Sequence, residues 1–308
     1  MPHISIVSPV YKAEKIVDEL IKRIVRSVSD ITDDFEIILV DDCSPDNSWD
    51  KIVRNSELDP RVKGLKLSRN FGQHYAISAG LDFSKGDWIV VMDCDLQDQP
   101  EEIPRMYNAA ISNKFDAVIA KRINRSDTFL KKFFSFLFYK LFSYLAGIQY
   151  DHTVANFGIY SRSMINAVKS MRENIRYFPT MVKWVGYNIG FIPVEHSERF
   201  EGQTSYNFRK LFQLALDIIL AYSNKPLRMT VKLGLFISFF SFIFAIYNVY
   251  RAINGEIAVL GYSSLIVSIW MLGGIIILIL GVIGLYLGKT FDGVKNRPIY
   301  IIKEKIGL

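Results

Sequence analysis

Cysteine is scarce in this chain, since only Cys43 and Cys94 occur among its 308 residues, each in or beside an acidic segment. Two isolated cysteines give neither a disulfide framework nor the paired spacing of a metal site. This usage fits a reducing compartment. The first residues enter a predicted strand at once, without a charged region followed by a long apolar run, so we expect no signal peptide.

Several motifs are absent. The sequence has no Gly-x-Gly-x-x-Gly and no Walker loop, which argues against a dinucleotide enzyme and a P-loop NTPase. It has no Gly-x-Ser-x-Gly nucleophile elbow either. The formal net charge is +6, but no recognised nucleic-acid motif appears and the cations cluster near apolar segments. The positive charge therefore favours an anionic lipid or a phosphate-bearing substrate over nucleic acid.

Apolar residues are abundant instead, at 50% of the chain, and they are unevenly placed. Leu233 to Tyr250 and Ile257 to Gly288 contain no charged residue. Each run is long enough to cross the roughly 30 Å of a bilayer's hydrocarbon core. The sequence therefore predicts a transmembrane hairpin over residues 226–290, with spans at about 230–250 and 262–287.

Basic residues flank both outer ends of this hairpin, namely Arg228, Lys232, Lys289, Lys295 and Arg297. The positive-inside rule then predicts a multi-pass protein of the inner (cytoplasmic) membrane, with the N-terminal domain and both termini in the cytoplasm. Residues 291–308 are predicted to be a cytoplasmic tail. Its last part fits either an extended strand on a neighbouring subunit or a disordered segment, so a homo-oligomer stays open.

Two further segments have polar stripes at helical spacing on an otherwise apolar surface. For residues 129–147, a helix packed on the domain and a helix lying in the membrane interface fit the pattern equally well. Residues 207–225 precede the first span, and we predict a juxtamembrane amphipathic helix there.

In the first 122 residues, buried strands alternate with helices, which predicts a doubly wound, mostly parallel sheet. Ligands of such sheets bind at the carboxyl ends of the strands. The residues at the predicted strand ends are Pro9, Tyr11, Asp41, Asp42, Arg69, Asn70, Asp93, Asp95, Lys121 and Arg122. One edge of the sheet therefore collects carboxylates and cations.

The central predicted strand runs from Trp88 into Asp93-Cys94-Asp95. Carboxylates two residues apart on an extended chain project to the same side, and Gln97 continues this period. Such oxygen donors suit Mg²⁺ or Mn²⁺, which a diphosphate would share. An isolated Asp-x-Asp is more often a solvated turn, but the core strand before it and the helix start at Pro100 favour the metal site.

These residues resemble the family 2 glycosyltransferases, which have the Rossmann-like GT-A fold. The motifs that carry the resemblance are Ser8-Pro9-Val10-Tyr11, Val40-Asp41-Asp42-Cys43-Ser44-Pro45-Asp46, Ser68-Arg69-Asn70-Phe71-Gly72 and Asp93-Cys94-Asp95-Leu96-Gln97-Asp98-Gln99-Pro100. The last motif is similar to the polyprenyl-phosphate branch, which includes dolichyl-phosphate mannose synthases and bactoprenol glucosyltransferases. The resemblance implies a GT-A catalytic domain over residues 1–206.

The implied activity is transfer of a hexose from a nucleotide sugar to polyprenyl (undecaprenyl) phosphate at the cytoplasmic membrane face, with Mg²⁺ or Mn²⁺ as cofactor. The bacterial form of the branch favours a UDP-linked donor. The product would be a lipid-linked sugar for cell-envelope glycan modification. The acceptor phosphate is already anionic near neutral pH, because its second pKa is about 6. We therefore expect a single displacement with inversion and no strong base.

The resemblance also implies residue roles. Pro9 and Tyr11 would flank the base, Asp42 would hydrogen-bond it, and Arg69 would contact the nucleotide. Asp93 would meet the ribose or the metal's shell. The other implied site residues are the metal ligands Asp95 and Gln97, the phosphate-side cations Arg122 and Arg199, and an acceptor-phosphate group of Arg199, Thr204, Ser205, Arg209 and Lys210.

Departures from the branch leave alternatives. Thr204 and Ser205 replace a usual Ser-Lys, and Asn156 and Gly158 replace a usual acid or Gly and an Arg. A different lipid or glycan acceptor therefore stays open. A processive polysaccharide synthase is disfavoured because the chain lacks Gln-x-x-Arg-Trp and further spans. The intact acidic motif argues against a non-catalytic membrane protein that binds nucleotide sugars.

Overall fold

The computed structural model describes residues 3–122, 144–145, 154–173, 175–194, 219, 223–254 and 261–308. These residues divide into two compact units. The first contains the described residues within 1–135, 151–206 and 297–308, and the second contains those within 136–150 and 207–296. The chain thus leaves the first unit and returns to it for its last residues.

A mixed sheet forms the centre of the first unit. Its described strands are β1 Ile4–Val10, β2 Phe35–Asp41, β3 Val62–Leu67, β4 Trp88–Val91, β5 Ala117–Arg122, β6 Val154–Ser161, β7 Ile189–Val194 and β8 Ile302–Ile306. Their order is β7-β5-β6-β4-β1-β2-β3-β8. The pairs β1–β2, β1–β4, β2–β3 and β5–β7 are parallel. The predicted α/β class with a mostly parallel sheet is confirmed.

Helices cover both faces of the sheet. In the first unit they are α1 Val17–Ser29, α2 Ser48–Leu58, α3 Gln73–Phe83, α4 Ile103–Asn113, α5 Arg162–Ser170 and α6 Phe178–Trp184. Side chains alternate along β2, since Ile37 and Leu39 join the core under α1 and α4, whereas Ile38 and Val40 join the core under α3, α5 and α6. The sheet is therefore buried on both faces, as a doubly wound fold requires.

The sequence pattern does not predict β6, which lies between β4 and β5 and is antiparallel to both. Asn156 and Gly158 interrupt its apolar residues, so the segment lacks the periodicity of a buried strand. Because β4 and β5 both run antiparallel to β6, they run in the same direction as each other. Their carboxyl ends therefore lie at the same edge of the sheet.

The last strand, β8, pairs antiparallel with β3 of the same chain. The Ser68 N–H donates to the carbonyl of Ile301 at 2.9 Å, and the Tyr300 hydroxyl donates to Asp82 Oδ2 at 2.7 Å. This arrangement differs from both structures predicted for the C-terminal segment, because β8 completes the chain's own sheet. The hydrophobic pattern of a five-residue edge strand with three charges is too weak to indicate it.

Close packing brings α3 onto the sheet. A Cβ atom on Gly80 would lie 2.4 Å from Val7 Cγ1 and 3.1 Å from Val40 Cγ2. Only glycine allows the helix backbone this near to β1 and β2. The contact fixes where the first turn of α3 lies relative to the ends of these strands.

A buried polar network at the opposite edge joins β1, β2 and β3. Glu36 is 2% exposed and accepts hydrogen bonds from Ser5 Oγ at 2.6 Å and from the Lys85 N–H at 2.7 Å. Lys63 Nζ lies 2.6 Å from its other carboxylate oxygen. Burial acts to raise the pKa of Glu36, but the hydrogen bonds from Lys63, Ser5 and Lys85 outweigh it and hold the pKa below its ordinary value.

Glu36→Gln should destabilise the protein by roughly 3 kcal/mol, near the lower bound for a broken buried ion pair, because Lys63 keeps some access to water. A lowered folded-state pKa gives stability that is present above the unfolded value of about 4.3 and is lost as pH falls through the folded value. The gap in melting temperature between wild type and variant should thus shrink below about pH 4. Glu57→Gln, at an exposed position, is the control and should show no gap.

The second unit contains two long helices, α7 Lys225–Ile253 and α8 Tyr262–Val294. By length and composition, each is apolar enough to cross a membrane, within Lys225–Phe244 and Met271–Val294. The predicted spans at 230–250 and 262–287 fall inside these helices. The predicted amphipathic helices at 129–147 and 207–225 fall almost entirely outside the described residues.

Candidate active site

Strand register brings the predicted site residues to one edge. Val10 pairs with Asp41, and Val7 pairs with Val91, where β4 ends. The residues that follow β1, β2 and β4 therefore lie side by side at the carboxyl edge of the sheet. Pro9 is buried within β1, and Tyr11, directly after it, is 43% exposed. An exposed aromatic ring next to a row of carboxylates can stack on a planar base.

The loops after β1 and β2 are tied together by side chains. The backbone N–H groups of Lys12, Ala13 and Glu14 donate to Ser44 Oγ, Ser48 Oγ and Asp46 Oδ2, at 3.1, 3.0 and 3.2 Å respectively. These oxygens satisfy donors that the strand ladder leaves open. The Ser-x-Asp-x-Ser pattern of residues 44–48 thus positions Tyr11 as well as starting α2.

Asp42 is 3% exposed and holds the loop that follows β3. Its Oδ1 accepts the Phe71 N–H at 2.7 Å, and its Oδ2 accepts the Gly72 N–H at 2.8 Å. Burial raises the pKa of Asp42, and these two hydrogen bonds oppose the rise. Arg69 lies over the Phe71 ring, with Cζ 4.3 Å from the ring centroid. Asp42 and Arg69 therefore shape one wall of the site together.

β4 ends at Val91, and the chain then turns at residues 94–95 and bends at residues 96–98. Leu96 has φ +57° and is buried. The extended chain on which the predicted period of two for Asp93, Asp95 and Gln97 depends is therefore absent from this segment. Asp95 Oδ1 instead accepts the Gln97 N–H at 3.2 Å, as in an Asx turn, and this bond brings the two residues together.

Left-handed backbone marks three loops of this edge. Lys12, Cys43 and Leu96 have φ of +55°, +55° and +57° and follow β1, β2 and β4. Such conformations cost free energy in residues other than glycine, and they cluster at functional sites. Here they allow sharp turns that keep the loops next to the strand ends.

The segment that carries Asp93, Asp95 and Gln97, hereafter the acidic turn, supplies the oxygen donors expected around a divalent cation. Among the described residues, no group of three or more His, Cys, Asp or Glu side chains could hold a metal ion by itself. This donor set fits a hard cation that takes its remaining ligands from a diphosphate and water. Burial raises the pKa of Cys94 to about 12, so its thiol stays protonated and is a poor metal ligand.

The first turn of α3 adds residues that sequence reasoning missed. The sequence pattern predicts a helix over Tyr75 to Phe83, but α3 begins at Gln73, whose Nε2 donates to Asp93 Oδ1. Gly72 before it was the available signal, because glycine is a favoured N-cap residue. His74 contacts the ring of Tyr177, with centroids 4.7 Å apart, and burial lowers its pKa to about 4. His74 is thus neutral at pH 7.

Comparisons with known proteins agree with this geometry. The profile described as "Glycosyl transferase family 2" matches residues 5–192. The chain belongs to this family. An uncharacterised glycosyltransferase of Synechocystis sp. is 35% identical over 306 residues, which is 99% of this chain and 96% of that protein. The prophage bactoprenol glucosyl transferase homolog of Escherichia coli K12 is 36% identical over 303 residues, 98% of each chain.

A solved structure supports the fold of this glycosyltransferase. Glucosyl-3-phosphoglycerate synthase from Mycobacterium tuberculosis, solved with Mn²⁺, UDP and phosphoglyceric acid, has a TM-score of 0.53 and covers 71% of this chain and 77% of its own. At 14% identity the likeness concerns the fold alone. The predicted family and its GT-A fold are confirmed.

The remaining predicted site residues of the glycosyltransferase are only partly described. Arg122 is the last residue of β5, and its side chain lies outside the described part of the structure. Asn156 lies on β6, two residues before Gly158, which pairs with Val91 at the end of β4. The predicted phosphate-side and acceptor-side residues Arg199, Thr204, Ser205, Arg209 and Lys210 lie outside the described residues.

Asp42→Asn should both weaken nucleotide binding and destabilise the glycosyltransferase. An amide has one acceptor oxygen, so its NH₂ group would face either the Phe71 or the Gly72 N–H. A buried donor left without an acceptor costs about 1–3 kcal/mol. The melting temperature should therefore fall, and the dissociation constant for UDP should rise. Asp50→Asn, at an exposed position on α2, is the control, and equal values for wild type and Asp42→Asn would contradict the anchoring role.

Proposed function

We propose that this glycosyltransferase transfers a hexose from a nucleotide sugar, UDP-linked, to polyprenyl phosphate at the cytoplasmic membrane face, with inversion and with a divalent cation. The single observation that carries this proposal is the acidic turn of Asp93, Asp95 and Gln97 beside Tyr11 and Asp42 at one sheet edge. Relatives named bactoprenol glucosyl transferase, 34–36% identical over nearly the whole chain, support the lipid-linked acceptor. The fold neighbour solved with Mn²⁺ and UDP shows that a sheet of this kind can hold these ligands.

The chain's residues bind and orient the donor. Tyr11 offers a ring for the base, and the loop that Asp42 holds closes the site on the β3 side. Asp95 and Gln97 would hold Mg²⁺ or Mn²⁺, with Asp93 next to them. When bound, this cation supplies positive charge against the diphosphate, which lowers the barrier to its departure.

The transfer itself needs no general base from the protein. An anionic oxygen of the acceptor phosphate attacks the anomeric carbon and forms the new C–O bond. The bond from that carbon to the diphosphate oxygen breaks, and its electron pair leaves with the nucleoside diphosphate. Attack opposite the leaving group inverts the anomeric configuration. His74 is neutral at pH 7, so it adds no positive charge at the first turn of α3.

Chain connectivity supports the membrane topology of this proposal. The chain leaves the first unit, forms α7 and α8, and returns to the first unit at residue 297. If one of these helices crosses a bilayer, the other must cross back. This argument agrees with the basic residues that flank the hairpin on its outer ends. The catalytic domain and both termini are then cytoplasmic, next to a lipid-linked acceptor.

Asp95→Asn should abolish turnover, because a neutral amide is a much weaker ligand for a hard cation than a carboxylate. Detergent-purified protein would be incubated with undecaprenyl phosphate, Mg²⁺ or Mn²⁺ and a panel of nucleotide sugars, and lipid-linked sugar would be detected by mass spectrometry. Asp98→Asn is the comparison variant, since it shows whether replacing a different carboxylate of the same segment also abolishes turnover. Full activity of Asp95→Asn would rule out the ligand role of Asp95. A folded wild type that binds no nucleotide would contradict the proposed sugar transfer itself.

Topology is tested separately by labelling in intact cells. A membrane-impermeant maleimide should modify Asn254→Cys, at the exposed end of α7, because the hairpin link faces away from the cytoplasm. Lys303→Cys, on β8, should be labelled only after the cells are permeabilised. Both variants are made in a chain in which Cys43 and Cys94 are replaced by serine, so that only the introduced thiol can be labelled. The reverse pattern would place the domain on the wrong side for the proposed acceptor.

A further inference from the structure

Gln73 touches the acidic turn and has no role in the site so far. Its side-chain amide Nε2 donates to Asp93 Oδ1. A carboxylate turns readily about its last bond, and a donor on one oxygen fixes the plane of the group. The donor here is an uncharged amide.

The backbone around Gln73 is built to hold it there. Gly72 has φ +106°, a region closed to residues with a side chain, and Gln73 begins α3 directly after it. The Gly72 N–H is bound by Asp42 Oδ2. At the other end, the close contact of Gly80 with Val7 and Val40 presses α3 on the sheet. The amide of Gln73 is therefore fixed relative to β1, β2 and the acidic turn.

We propose that Gln73 is a positioning residue that orients the Asp93 carboxylate for the metal–diphosphate side of the site. The inference rests on the proposed function, because it assigns Asp93 to the surroundings of the bound cation. Gln73 touches neither substrate nor metal in this scheme and acts through Asp93 alone. Partners that orient metal-site carboxylates are typically worth about 10–100-fold in metal affinity or activity.

The test uses Gln73→Met, which keeps the length and helix propensity of the side chain but removes the donor. The control is Asn108→Met, an amide-to-thioether change on the exposed face of α4. Full-length proteins in detergent would be titrated with Mn²⁺ in the presence of UDP, and free Mn²⁺ would be followed by electron paramagnetic resonance. UDP binding would also be measured by calorimetry in EDTA, without metal.

We expect the Mn²⁺ dissociation constant of Gln73→Met to rise about 10–100-fold, while UDP affinity in EDTA and the melting temperature stay near the wild-type values. A purely structural role for Gln73 in the 71–72 loop would instead weaken UDP binding in EDTA as well, and that result overturns the inference. Should Gln73→Met fail to fold, Gln73→Ala takes its place with the same expectations, because alanine also suits the first turn.

Failure of the inference and failure of the proposed function give different results. Equal Mn²⁺ affinity in wild type, Gln73→Met and Asn108→Met overturns the positioning role and leaves the glycosyltransferase site intact. A folded wild type that binds UDP no better with Mn²⁺ than in EDTA overturns the metal-dependent function, and the positioning role falls with it.

Discussion

Parallel pairing of β1 between β2 and β4 is the constraint on which the site depends. The backbone hydrogen bonds of these three strands set the register that carries Tyr11, Asp42 and the acidic turn to one level of one edge. Several of these side chains are carboxylates, which repel one another when ionised. The apolar residues of the strands, buried on both faces, provide the free energy that keeps like charges together. The core thus sets the strand register, and hydrogen bonds such as those of Asp42 and Asp46 then hold the loops in place.

The carboxylates of the edge fall into two groups with different work. Asp42 and Asp46 are occupied by backbone N–H groups of neighbouring loops, so they act as scaffolding for the site wall. Asp93 and Asp95 follow β4, and they accept hydrogen bonds from Gln73 Nε2 and from the Gln97 N–H respectively. The acidic motif after β2 thus shapes the wall of the site, although the protein itself already satisfies its oxygens.

Much of this could be predicted from the sequence, because the information is local. Apolar runs predicted the strands of the first 122 residues, and the acidic motifs after β2 and β4 indicated which edge of the sheet holds the site. Non-local features could not be predicted. The antiparallel β6 and the strand β8 depend on pairing with residues far away in the chain. The extended chain expected after β4 is absent, since Leu96 has φ +57°. No sequence pattern indicates this conformation in a leucine. Gln73 was missed because its helix was predicted to begin two residues later.

The position of β8 has a consequence for biosynthesis. A ribosome releases the chain from its N-terminus, so β3 is made more than 200 residues before the strand that covers its outer edge. Until residue 306 emerges, that edge offers open backbone groups to any extended segment nearby. Both long apolar helices are synthesised in this interval. The catalytic sheet is therefore finished only after the hairpin exists, which makes completion of its edge a late step of maturation that a truncated chain never reaches.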